Sequence, residues 1–149
     1  MSPRRYLGVA TALGGAGALF AGYLSYTRAS SGMCAFAEPC PFFLGQPACY
    51  TGFALFSAAF LVSLTALVRR VETVWPVVTN LAIALAGTVF AGWLTGDELA
   101  AHSGYRLGLP TCAYGLVFFV ALMSWSIAAA MAHPRVAGAL PARRAHRRL

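Results

Sequence analysis

The chain has 149 residues, is 59% hydrophobic and only 10% charged, and has a mean hydropathy of +0.69. Soluble domains carry roughly 25% charged residues, so this composition excludes an ordinary water-soluble fold and makes a lipid bilayer the chain's first partner. The net charge of +7 comes wholly from arginine, which fits a membrane protein oriented by its basic residues rather than a nucleic-acid binder.

In chain order, Arg4 and Arg5 precede a charge-free run of 22 residues from Tyr6 to Thr27. Basic residues before an apolar run also open a signal peptide. Here the run ends in Tyr23 and Tyr26 and has a partner later in the chain, so it reads as a permanent helix. Further charge-free runs cover Pro39 to Val68 (30 residues), Thr73 to Gly96 (24) and Leu107 to His133 (27). A spanning helix needs roughly 20 residues. Four transmembrane helices follow, placed by turn signals and interfacial aromatics near 6–26, 48–68, 74–95 and 110–132, with a basic tail over 133–149. The expected class is an all-α membrane protein, a four-transmembrane-helix bundle forming a single domain.

With four crossings, nine arginines (4, 5, 69, 70, 135, 143, 144, 147 and 148) fall on one side and Arg28 and Arg106 on the other. The positive-inside rule then puts both termini and the central loop in the cytoplasm of a multi-pass protein of a bacterial plasma membrane. All four cysteines fall on the extracytoplasmic side.

The chain also repeats itself. Phe20-Ala21-Gly22-Tyr23-Leu24-Ser25 returns 70 residues later as Phe90-Ala91-Gly92-Trp93-Leu94-Thr95. Leu44-Gly45-Gln46-Pro47-Ala48-Cys49 returns at an offset of 63 as Leu107-Gly108-Leu109-Pro110-Thr111-Cys112, with Gly52 and Gly115 in step. This predicts two tandem helical hairpins, 6–68 and 74–132, related by a pseudo-twofold axis along the membrane normal. The first has an outer loop seven residues longer. Gly14, Ala18 and Gly22, with Ala84, Thr88 and Gly92 as counterparts, form small-residue stripes that let helix backbones approach in lipid.

Four cysteines carry the chemistry on offer. Cys34 and Cys40 lie in the longer outer loop and have no counterpart in the second repeat. On an oxidising face they read as a static staple, an exchangeable redox pair, or thiols paired elsewhere. Cys49 and Cys112 are equivalents, each two residues after a proline, and therefore expected in the first turn of a helix. There the positive end of the helix dipole favours a thiolate. They read as small packing residues, as a redox pair with each other or with the loop cysteines, or as metal or haem ligands. Neither Cys-x-x-Cys nor a cysteine and histidine cluster is present, so no metal site is expected. His102 is assigned to the second outer loop, near Asp97 and Glu98. The spans contain no Asp, Glu, Lys or Arg, which argues against a proton-coupled transporter or ion pump. Asn80 and Ser63 are among the polar groups left for interhelical hydrogen bonds or for a quinone carbonyl.

The cysteine pair in the loop before the second helix, the Gly45-Gln46-Pro47 entry with Gly52 five residues after the proline, and the helix count together resemble the vitamin K epoxide reductase family and the DsbB-type membrane thiol oxidoreductases. The resemblance covers 34–52. It implies a loop pair, Cys34 and Cys40, that exchanges disulfides with a thioredoxin-like extracytoplasmic protein, and a membrane-edge pair that passes electrons to a bound quinone. The family's Cys-x-x-Cys is absent; Cys112 stands alone on helix four, so its partner would be Cys49 of helix two. The leading expectation is a membrane thiol–disulfide oxidoreductase or redox-active accessory protein using Cys34, Cys40, Cys49 and Cys112. The alternatives are a non-catalytic subunit or assembly factor of a larger membrane complex, and a small-solute carrier or channel along the pseudo-twofold axis.

Overall fold

The computed structural model describes residues 2–32, 42–43, 45–101 and 110–132. Cys34, Cys40, His102 and the basic tail lie outside the described residues. Four helices dominate: α1 (Pro3–Ser31), α2 (Ala48–Val68), α3 (Trp75–Ala101) and α4 (Thr111–Ala132). Each is long and apolar enough to cross a membrane, so the chain is a multi-pass membrane protein by length and hydropathy.

Local signals set most of the ends. Ser2 caps α1 by accepting from the Arg5 backbone N–H at 3.4 Å, Pro3 follows in the first turn, and Gly32 closes the helix with φ 70°. α2 ends in a Schellman-type turn: the Val71 N–H reaches the Ala66 carbonyl at 2.9 Å and the Arg70 N–H reaches Leu67 at 3.3 Å. Arg70 takes the left-handed position there, φ 52°, where glycine is usual. α1 and α3 overrun the expected spans. In particular α3 continues through Asp97 and Glu98, which sequence reading assigned to the second outer loop. Hydropathy falls at the first charge, but the helix continues, and the Trp93 indole N–H donates to Asp97 one turn on at 2.7 Å. A further element, unexpected from sequence, is a two-residue antiparallel pair, β1 (Phe42–Phe43) with β2 (Gln46–Pro47), turning at Gly45, φ 80°. The Arg28 guanidinium lies over the Phe42 ring at 5.7 Å, and Phe43 meets Phe90 edge-on at 5.0 Å.

Named contacts fix the directions of the helices. Along α1, Gly14, Gly17 and Gly22 face Phe60, Phe56 and Phe53 of α2 in descending order, so the two run antiparallel. Gly87 and Gly92 likewise face Phe119 and Leu116 of α4. α1 packs mainly on α2 and α3 mainly on α4, giving two hairpins laid together. At Gly14 the helix faces the α2 backbone itself. A Cβ there would sit 2.9 Å from the Phe60 nitrogen, so the glycine permits the approach that lipid-embedded helices use for dispersion contact.

The inward stripes run at helical spacing: Leu7, Ala10, Gly14, Gly17 and Ala21 on α1; Phe56, Ala59, Ser63 and Ala66 on α2. On α3 and α4 the buried set includes Val77, Asn80, Ala84, Gly87 and Ala91, then Phe119, Leu122, Ser126 and Ala129.

Candidate functional site

Two layers of the bundle carry features beyond apolar packing. In the first, one side chain from each helix meets in a buried polar cluster. The Asn80 amide donates to Ser63 Oγ at 2.8 Å and to the Tyr6 hydroxyl at 3.2 Å, and Tyr6 and Ser126 share a hydrogen bond of 3.1 Å. Asn80, Ser63 and Ser126 are fully buried. The Trp125 indole N–H adds a bond to the Tyr6 carbonyl at 3.4 Å. In a medium without water, such bonds hold helices together. The arrangement ties all four helices at one level.

The second layer lies toward the ends where α2 and α4 begin. Phe56 and Phe119 stack face to face, 3.9 Å between centroids and 8° from parallel, at the centre of the bundle. Each ring is seated over a glycine of its own hairpin. A Cβ at Gly17 would lie 2.4 Å from Phe56, and one at Gly87 would lie 2.3 Å from Phe119. The two rings form the floor of a cavity of about 60 Å³, whose wall includes Phe20, Phe90, Cys49, Cys112, Gly52 and Gly115.

Cys49 and Cys112 each occupy the second position of their helix, as the preceding prolines predict. Both are half-buried thiols in the wall of this one cavity, and no disulfide joins them. The helices bring them to a common space because α2 and α4 start at the same end of the bundle and turn corresponding faces inward. Gly52 and Gly115, one turn deeper, keep that space open, since a Cβ at either position would meet nothing within 4 Å.

No protein-family model, curated protein or solved structure matches the chain.

Among the described residues no group of three or more His, Cys, Asp or Glu is placed to hold a metal ion. The described wall of the cavity is otherwise hydrocarbon and aromatic, with the Thr111 hydroxyl as its further polar group. Sequence reading did not single out Gly17, Gly87, Phe56, Phe119, Tyr6 or Ser126. Five of them were open to discovery by extending the two offsets inward, because 17 and 87 differ by 70, while 56 and 119, like 63 and 126, differ by 63. Tyr6 carries no such signal.

Proposed function

We propose that Cys49 and Cys112 act as a pair in membrane thiol–disulfide chemistry on the side opposite the arginine-rich loops. The observation that carries this reading is that two cysteines 63 positions apart line one small cavity, each at a helix N-terminus. In the forward step a thiolate attacks a disulfide sulfur of an extracytoplasmic thioredoxin-like partner or of the Cys34–Cys40 loop, and the second thiolate resolves the mixed disulfide. The cysteine thiols are oxidised to one disulfide and the attacked disulfide is reduced to two thiols, so the electron pair and protons balance. A quinone is the acceptor class that would return the pair to the oxidised state when flow runs the other way. At about 60 Å³ the cavity is well short of the roughly 150 Å³ that accommodates a benzene ring. A quinone would therefore engage from the lipid face rather than sit inside.

The pair's equivalence rests on a pseudo-twofold relation between the hairpins. Supporting it, the six buried positions of α1 all recur as buried positions of α3 at an offset of 70, four of the five on α2 recur on α4 at an offset of 63, and both phenylalanine rings sit on matched glycines. Extracytoplasmic placement of the cysteines and cytoplasmic placement of both termini rest on the arginine bias.

The test is redox trapping in membranes, reading disulfide state by thiol-specific mass tagging. Reversible formation of a 49–112 disulfide, lost in both single serine variants, is expected. If Cys49 and Cys112 stay reduced across the extracytoplasmic range of redox poise, the reading fails.

A second reading, a subunit or assembly factor of a membrane complex, is favoured by one observation. A groove of about 620 Å³ runs along the outward face of α3, between Phe42 and Phe43 on one side and Ala82, Ala86, Val89 and Trp93 on the other. Alanines at this spacing admit a partner helix. Co-purification that survives replacement of all four cysteines, and is lost in Ala86→Phe, would favour this reading over the first.

A further inference from the structure

We propose that the cavity between the starts of α2 and α4 is a two-coordinate site for a soft monovalent metal ion, copper(I), held between the sulfurs of Cys49 and Cys112.

The donor set decides the class of ligand. Among the described residues the cavity wall offers two thiols and one hydroxyl and no carboxylate or imidazole. Calcium and magnesium need about six oxygen donors, and a structural zinc site needs four nitrogen or sulfur donors. Thiolates suit copper(I), zinc and iron–sulfur clusters, and of these copper(I) is the one that accepts just two ligands, in a line. Volume points the same way. About 60 Å³ suits an ion with a water molecule, and is too small for a cofactor ring.

Electrostatics supply the second argument. Binding follows Cu⁺ + 2 RSH → [Cu(SR)₂]⁻ + 2 H⁺, with both protons released to the adjoining aqueous phase and no change of oxidation state. The product carries one negative charge in an apolar surround, which by itself is unfavourable. Each helix N-terminus presents about half a positive unit charge, so the ends of α2 and α4 together offset about one. The two half-charges are available because both cysteines occupy the second position of their helices.

The inference uses the same two thiols as the proposed exchange chemistry but does not depend on it. A bound ion would withhold both sulfurs from exchange, making copper(I) a competitor of the disulfide.

The experiment uses the full chain in detergent or nanodiscs, with Cys34→Ser and Cys40→Ser removing the loop thiols. Copper(I) is titrated against a chromophoric chelator under reducing conditions, and X-ray absorption reads the ligands. One ion per chain with two sulfur scatterers is expected. Affinity should rise about 100-fold per pH unit while both thiols are protonated, because two protons leave. Cys49→Ser and Cys112→Ser should each lose at least about 100-fold, beyond the 10–100-fold typical of disturbing an outer-sphere partner. Gly52→Val keeps both thiols while filling the cavity, and should also weaken binding, with helicity and monodispersity confirming that the variant folds. Single serine variants that bind within about threefold of the parent, one sulfur scatterer, or nitrogen and oxygen ligands alone would overturn the site. Disulfide exchange without copper binding would overturn this inference and leave the oxidoreductase reading; tight two-sulfur binding without any exchange would do the reverse.

Discussion

Replacing Gly17 by alanine should destabilise the bundle through a specific collision. The new Cβ would stand 2.4 Å from Cδ1 of Phe56, 2.6 Å from Cε1 and 2.7 Å from Cγ. Carbon atoms rest at about 3.5–4.0 Å, so the ring must retreat by at least about 1 Å. It has little room, because its far face is stacked on Phe119 at 3.9 Å and that ring is seated on Gly87. Overpacking of this kind costs about 1–3 kcal/mol, against which alanine regains roughly 0.5–1 kcal/mol over glycine inside a helix. The difference, a net loss of up to about 2.5 kcal/mol, corresponds to a fall in Tm of up to roughly 10 °C for a chain of this size. Thermal unfolding in detergent micelles, followed by circular dichroism, measures it. Gly8→Ala is the control, since a Cβ there meets nothing within 4 Å and should leave Tm unchanged or slightly raised. Gly87→Ala should cost about as much as Gly17→Ala, because its ring contact is 2.3 Å. Combining Gly17→Ala with Phe56→Leu should cost less than the sum of the two. If Gly17→Ala is as stable as Gly8→Ala, the wedged-ring account is wrong.

Three further outcomes follow from other parts of the bundle. Asn80→Leu removes the donor to both Ser63 and Tyr6 and should lower stability by about 1–2 kcal/mol, near the upper end for hydrogen bonds between membrane helices; unfolding in mixed micelles checks this, and no change would demote the cluster from clasp to bystander. Arg70→Gly should raise stability by about 1 kcal/mol by relieving a non-glycine residue at φ 52°, read by the same titration. In right-side-out vesicles lacking the loop cysteines, a membrane-impermeant thiol reagent should label Cys49 and Cys112 from the face opposite the termini. Labelling of one thiol from each face would break the shared-cavity account.

The four crossings were legible from sequence because hydropathy depends on composition and length. The transfer of roughly 20 apolar residues into hydrocarbon does not depend on which neighbours they meet. α2 begins and ends where expected, at 48 and 68, since Pro47 and the paired arginines Arg69 and Arg70 punctuate both ends. Charge misled at the end of α3: Asp97 reads as a loop residue, but a carboxylate at a helix end bonded to Trp93 is at home in the interfacial layer. The positions of Cys49 and Cys112 on their helices were also readable, from the prolines before them.

Only the tertiary structure could decide which faces turn inward. The helices are apolar all round, so no amphipathic stripe distinguishes a lipid-facing leucine from a core one. In lipid the choice is made by fit, through glycines that admit rings and through polar groups that find one another. Gly17 beneath Phe56, Gly87 beneath Phe119, and Asn80 between Ser63 and Tyr6 are pairings made across helices. The convergence of Cys49 and Cys112 on one cavity has the same origin. Sequence put each thiol at a helix start, and the packing of the α1–α2 pair against the α3–α4 pair placed both in one wall, because dispersion and hydrogen bonding between helices depend on shape rather than on hydropathy.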